Sequence, residues 1–296
     1  MNYKIKNDAD SNYVCKKKPK YIYNNVERII VIGDLHGDFQ ILIRCLKLAN
    51  VINNKLQWIG KKTHVVQLGD ILDAGGRGAH YKSDPYEEFN IYEYLNILNI
   101  EANKTGGFVH FLIGNHELMN LVGDFSYVHK DHLLSNRKEI FKPGSYFMQM
   151  LACQSYGVLN INGWIFSHAG ILPQHLKTHT LDSINMLVKE ILLGRKTIGN
   201  LTSTEWFLIF SEQSPFWNRE YISDNNRCNV LQKTLDKLGN AKGMVIGHTP
   251  HSNIQGNCDN KLWYADLGLS KAFGNKTFNN VQVLEIVNNT QTILKE

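Results

Sequence analysis

Five times in this chain an apolar run closes on a glycine or serine and hands the backbone to Asp, Asn or His. Ile29–Ile32 leads into Gly33-Asp34-Leu35-His36-Gly37-Asp38, and Val65–Leu68 leads into Gly69-Asp70-Ile71-Leu72-Asp73. Phe108–Ile113 leads into Gly114-Asn115-His116-Glu117, Trp164–Phe166 into Ser167-His168-Ala169-Gly170, and Met244–Ile246 into Gly247-His248-Thr249-Pro250. Taken singly, a Gly-Asp after a strand is ordinarily a turn closed by the aspartate's own hydrogen bond. Five such ends converging on one rim call for another account. Carboxylate oxygens and imidazole nitrogens together suit Mn, Fe or Zn, and the lack of cysteine among them argues against a structural zinc site. The chemistry that wants this set is hydrolysis at a pair of divalent cations.

The elements that must position these residues follow from periodicity. Short apolar, β-branched runs read as buried strands, and a terminal glycine lets the chain swing polar side chains over the sheet edge, where α/β proteins place their chemistry. Phe39–Ala49 carries a helical stripe (Ile41, Leu42, Cys45, Leu46, Leu48), and Asp84–Asn103 carries another, so successive β-α units predict parallel strands. Val158–Phe166, with Asn162-Gly163 at its centre, predicts a hairpin leading to His168. Between 173 and 215 the pattern turns helical, with Leu181, Ile184, Leu187, Val188, Ile191 and Leu192 on one stripe and a second helix over Ser203–Phe210. This insertion between two site-bearing strands is expected to pack as a helical cap beside the site. Val281–Val287 alternates with period two and reads as a late strand.

The whole chain sets outer bounds. Its 296 residues, 43% of them hydrophobic, can bury a full core in one α/β domain over residues 26–296. Residues 1–25 read as a polar, basic arm without the apolar stretch of a signal peptide, and no run is long and apolar enough to span a membrane. The net charge of +5 is modest and concentrated in Lys16-Lys17-Lys18-Pro19-Lys20. That cluster is a solvated arm, with nuclear import as the lesser alternative, and it is too local for a duplex footprint, so no specific nucleic-acid partner is expected. Five scattered cysteines without Cys-x-x-Cys spacing fit reduced thiols and a cytoplasmic location.

In this order the five motifs resemble the phosphoprotein phosphatase branch of the calcineurin-like metallophosphoesterases, closest to its Shewanella-like and bacterial-type members. The resemblance covers about Arg28 to Glu285. It implies an α/β fold, a β-sandwich flanked by helices, and a phosphatase acting on phosphomonoesters, foremost phosphoprotein Ser/Thr or Tyr, through direct attack of a metal-bridging hydroxide. It implies two divalent ions, with Mn first and Fe or Zn as alternatives. Asp34 and His36 would hold one ion, Asp70 would bridge both, and Asn115, His168 and His248 would hold the other. His116 would be the general acid, oriented by Asp73. Its substrates would be phosphoproteins or phosphorylated small molecules.

The sequence also departs from the family pattern. Ser214-Pro215-Phe216-Trp217-Asn218-Arg219 is similar to a phosphate-binding arginine motif, which makes Arg219 a candidate. The second arginine usual after the Asp73 position is absent, because Ala74 stands there, and Arg77 from the loop Ala74-Gly75-Gly76-Arg77-Gly78 is the candidate replacement. The eukaryotic Ser-Ala-Pro-Asn-Tyr-Cys stretch is replaced by Tyr264-Ala265-Asp266-Leu267-Gly268-Leu269-Ser270. Glu117 is expected to bond nearby backbone, and His251 to stay outside the ligand set. Two rival functions fit the same residues: hydrolysis of dinucleoside polyphosphates of the diadenosine tetraphosphate type, and a phosphate-binding pseudoenzyme.

Overall fold

The apolar runs pair into two stacked sheets whose parallel strands all end on one side. The computed structural model describes residues 20–223, 225–274 and 280–296. In chain order the strands are β1 (Ile22–Tyr23), β2 (Arg28–Ile32), β3 (His64–Gln67), β4 (Phe108–Leu112), β5 (Ser155–Tyr156), β6 (Val158–Ile161), β7 (Trp164–Ser167), β8 (Gly243–Ile246), β9 (Gln255–Asn257), β10 (Leu262–Tyr264), β11 (Gln282–Val287) and β12 (Thr290–Lys295). One six-stranded sheet runs β12-β11-β2-β3-β4-β5 and the other β1-β6-β7-β8-β10-β9.

Strands β2, β3 and β4 are parallel and level, with Ile32 opposite Gln67 and Gln67 opposite Phe111. Strands β7, β8 and β10 repeat the arrangement in the second sheet, with Ser167 opposite Ile246 and Ile246 opposite Tyr264. The motif after each strand therefore emerges on one shared rim. The strands behind that rim are fully buried: Ile30, Val31, Val65, Val66, Ile165 and Val245 have no exposed surface, and each such side chain contributes about 1.5–3 kcal/mol by leaving water.

The helices are α1 (Phe39–Leu48), α2 (Glu87–Asn103), α3 (Asn115–Val122), α4 (Arg137–Ile140), α5 (Tyr146–Gln154), α6 (Leu181–Leu192), α7 (Ser203–Phe210), α8 (Glu220–Ser223) and α9 (Arg227–Lys237). Helix α1 starts at Asp38, whose carboxylate accepts from the Ile41 N–H as an N-cap. The expected hairpin forms: β6 and β7 are antiparallel, and Asn162 and Gly163 take left-handed φ angles of 56° and 86° at the turn. Residues 173–215 carry α6 and α7. The α6 stripe packs on α5 and β6, while Glu212, near the end of the segment, reaches the rim.

Two sequence expectations need correction. The polar arm does not extend to residue 25, because Ile22 and Tyr23 form β1 alongside Asn160 and Ile161, and Tyr23 is buried against His64, Phe108 and His110. Lys16 to Pro19 lie outside the described residues, and Lys20 sits 4.9 Å from the Tyr23 ring. The cysteines are not uniformly reduced. Cys228, in α9, is disulfide-bonded to Cys258 in the β9–β10 turn, Cys153 is also disulfide-bonded, and Cys45 is a buried free thiol. Residues thirty positions apart meet because α9 packs beside that turn, a proximity that motif spacing does not report. Among the described residues no helix is long and apolar enough to cross a membrane.

Candidate active site

Three of the five strand ends, after β2, β3 and β8, deliver polar residues through a strained backbone. His36, Asp70, Asp73 and His248 have φ of 41°, 52°, 71° and 67°, a region that costs non-glycine residues about 1–3 kcal/mol and clusters at functional sites. Local bonds hold it in place. The Asp70 carbonyl accepts from the Leu35 and His36 N–H groups, and Glu117 accepts from the backbone of Asp70, Ile71, Leu72 and Gly114 and from the Tyr92 hydroxyl. Glu117 is thus the backbone clamp that its position suggested. Gly114 and Gly247 are required for close approach: a Cβ on either would lie 2.2 Å from Asp70 Oδ1 or 2.4 Å from Asp34 Oδ1.

Asp70 stands at the centre. Its Oδ2 is 3.3 Å from His168 Nε2, 3.9 Å from His36 Nε2 and 3.8 Å from His116 Nε2. Two groups of donor atoms within 4.8 Å of one another share it: His36, Asp70 and His116, and Asp70, His168 and His248. Asn115 Oδ1 joins the second, 2.9 Å from both His168 Nε2 and His248 Nδ1. Each histidine of the expected ligand set donates one ring N–H to a backbone carbonyl. His36 Nδ1 goes to Leu72, His168 Nδ1 to Leu68 and His248 Nε2 to Trp217. The other nitrogen faces inward, the arrangement that orients metal-bound imidazoles.

Asp34 lies outside both groups. Its Oδ2 accepts from the His248 N–H, while the buried Oδ1 has no hydrogen-bond partner. Burial, then the charges of Asp266 and Asp70, push the Asp34 carboxyl well above its usual range. A buried carboxylate oxygen with no donor is costly unless a cation meets it. Burial holds His248 down to about 3 and, with Arg77, lowers His36, so both present neutral nitrogens. The donor set therefore fits divalent metal ions.

The general-acid pair expected from the sequence meets: His116 Nδ1 is 2.7 Å from Asp73 Oδ2. Burial works against the charged imidazole, yet Asp70 and the Asp73 hydrogen bond outweigh it and raise the His116 pKa. Both arginines line a cavity of about 600 Å³ together with Asp70, Asn115, His116, Tyr127, Trp217 and Phe273. Arg77 Nη1 donates to the Asp73 and Gly75 carbonyls, and its guanidinium lies 5.2 Å and 4.7 Å from the Tyr127 and Phe273 ring centroids. Arg219 Nη1 donates to Thr249 Oγ1, 2.7 Å away. His251 stays apart, stacked on Tyr264.

Sequence reasoning missed two features. Arg137 is buried behind Asp73, donating to Glu88, Asn120 and the His132 carbonyl, with Nη2 3.5 Å from Asp73 Oδ1. Asn120 also donates to Asp73. The second is Asp266, two residues beyond the end of β10, which lines the same cavity. Like the other motifs it follows an apolar strand, but without their glycine or serine.

A rim of Asp, Asn and His from parallel strand ends, with arginines facing a cavity, is the frame of a metal-assisted phosphoester hydrolase. The chain belongs to the calcineurin-like phosphoesterase family, whose model matches residues 27–252 and so takes in all five motifs. It is 35% identical over 241 residues to the uncharacterized protein R398 of Acanthamoeba polyphaga mimivirus, covering 65% of this chain and 94% of that one. It is 30% identical to Shewanella-like protein phosphatase 1 of Plasmodium berghei, covering 90% of this chain and 72% of that protein. Among solved structures it is similar to the cold-active protein-tyrosine phosphatase of a psychrophilic Shewanella, at 25% identity and a TM-score of 0.77, covering 95% of this chain and 84% of that one.

Proposed function

We propose that this chain is a metal-dependent protein phosphatase that favours phosphotyrosine. The observation that carries this reading is Arg77, a cation between two aromatic rings with its Nη2 3.2 Å from His116 Nε2 at the mouth of the Asp70 cluster. A phosphate entering there meets a planar fork of donors, and an aryl group attached to it meets Tyr127, Phe273 and Trp217 on the cavity wall. The protein-tyrosine phosphatase likeness of the Shewanella structure points the same way.

Asp34, His36 and Asp70 would hold one divalent ion, with manganese first, and Asp70, Asn115, His168 and His248 would hold a second. Ions bound there would supply Lewis acidity and an activated water. Arg77 and Arg219 bind the non-reacting phosphate oxygens. His116, oriented by its hydrogen bond with Asp73, is placed to give an Nε2 proton to the leaving oxygen, a step usually worth about 10²–10⁴-fold in rate. The test is Asp70→Asn. The variant should lose bound manganese and phosphopeptide hydrolysis together, and wild-type turnover in it would exclude the shared-carboxylate centre.

A further inference from the structure

Asp266 is buried at 1% exposure, and its bonding is half complete. Oδ1 accepts from the Gly268 N–H at 2.9 Å, and the Asp266 carbonyl accepts from the His251 N–H at 3.0 Å. Oδ2 is buried without a hydrogen-bond partner, as is Oδ1 of Asp34. A fold that needed Asp266 only as a turn former would have no use for this second oxygen, since an asparagine makes the same bond to Gly268 without a buried charge.

The segment around it is fastened to the first motif. Gly33 touches it so closely that a Cβ there would lie 2.3 Å from the Ala265 carbonyl oxygen and 2.9 Å from the Asp266 Cα. Ser270 Oγ donates to the His36 carbonyl at 3.0 Å, and the Lys271 N–H donates to Asp38 Oδ2 at 2.9 Å. The loop after β10 and the loop after β2 thus form one rigid unit carrying Asp34, His36 and Asp266. Asp70 and Asp266 face one cavity, and Asp34 and Asp266 each carry a buried oxygen that has no protein donor.

We propose that Asp266 is a positioning residue of the metal centre: an outer carboxylate whose free oxygen supplies the negative charge that secures the cation at Asp34 and His36. Its bond to Gly268 and the Ser270 tie to His36 fix where that charge sits. The proposal rests on the metal-dependent reading above.

The experiment uses the full chain, stripped with a chelator and titrated with Mn²⁺ alone, following heat of binding and the rise in melting temperature. Asp266→Asn keeps the acceptor for Gly268. It should leave the metal-free melting temperature unchanged or raised, because one buried negative charge is gone. It should weaken manganese binding about 10–100-fold, the usual loss when an outer partner of a metal site is removed. Asp266→Glu should recover part of that affinity. Unchanged manganese affinity in Asp266→Asn overturns the proposal, and so does a metal-free variant that melts well below wild type, which marks a structural role. Failure of Asp266→Asn to fold marks the same structural role and overturns the proposal. Wild type that binds no manganese refutes the metal-dependent reading itself, an outcome separate from equal binding by wild type and variant.

Discussion

Arg77 Nη2 lies 3.2 Å from His116 Nε2 and 3.1 Å from His36 Nδ1. The guanidinium therefore occupies the mouth of the site although it comes from three residues beyond Ala74, the position at which the family resemblance expects an arginine. That position, Ala74, is fully buried, and a Cβ on Gly37 would lie 2.8 Å from its methyl group, so the packing there leaves no path for a long side chain. The glycine loop returns the cation to the cavity.

Arg77→Ala should raise KM for aryl phosphates roughly 10- to 100-fold, in line with about 1.5–3 kcal/mol for a hydrogen bond to a charged group, with a smaller change in kcat. Steady-state rates on p-nitrophenyl phosphate check this. An unchanged KM would leave Arg77 without a role in binding.

His116→Asn should keep its manganese and lose about 10²–10⁴-fold in kcat on a phosphoserine peptide. On p-nitrophenyl phosphate, whose leaving group departs without a proton, the loss should be smaller. Equal losses on both substrates would place His116 in binding rather than proton transfer.

Arg137→Met removes the cation between Glu88 and Asp73. Removing one partner of a buried pair costs roughly 3–5 kcal/mol, and Asp73 loses part of what aims it at His116. Urea unfolding should show the destabilisation, and kcat should fall at nearly constant KM. A variant as stable as wild type would mean that the pair contributes no net stability.

At the opposite end of the sheets His110 Nε2 is 3.1 Å from His64 Nδ1. Burial holds His64 down to about 4 and lowers His110 further below its ordinary value. The unfolded chain binds these protons near pH 6.5 and the folded chain refuses them. Their contribution is therefore complete above about pH 6.5 and is lost as pH falls toward 4, at about 1.4 kcal/mol per pH unit for each histidine. His64→Leu should flatten this part of the acid profile in urea unfolding; an unchanged slope would contradict it.

The five motifs were legible because glycine after an apolar run has few structural uses, and the strands behind them appear within a residue or two of their expected bounds. The division into sheets was not legible: nothing in Trp164–Phe166 or Met244–Ile246 says that these strands pair with each other rather than with β4. Helix α9 escaped because Arg227–Lys237 is mostly polar and buries only Leu231, Thr234 and Leu235. Arg137 reads as a surface residue until the fold closes over it. Lys261–Asp266 reads as a strand, but Asp266 follows an alanine and so lacks the glycine or serine that marks the other five strand ends. Cys228 and Cys258 meet only through tertiary packing.

The central claim is tested most directly by initial rates of the manganese-loaded protein on a phosphotyrosine peptide, a phosphoserine peptide and diadenosine tetraphosphate, each with a chelated control. The expected result is chelator-sensitive phosphate release from both peptides, faster from phosphotyrosine. Cleavage of the dinucleotide alone, or no turnover by protein that has bound its metal, would contradict it.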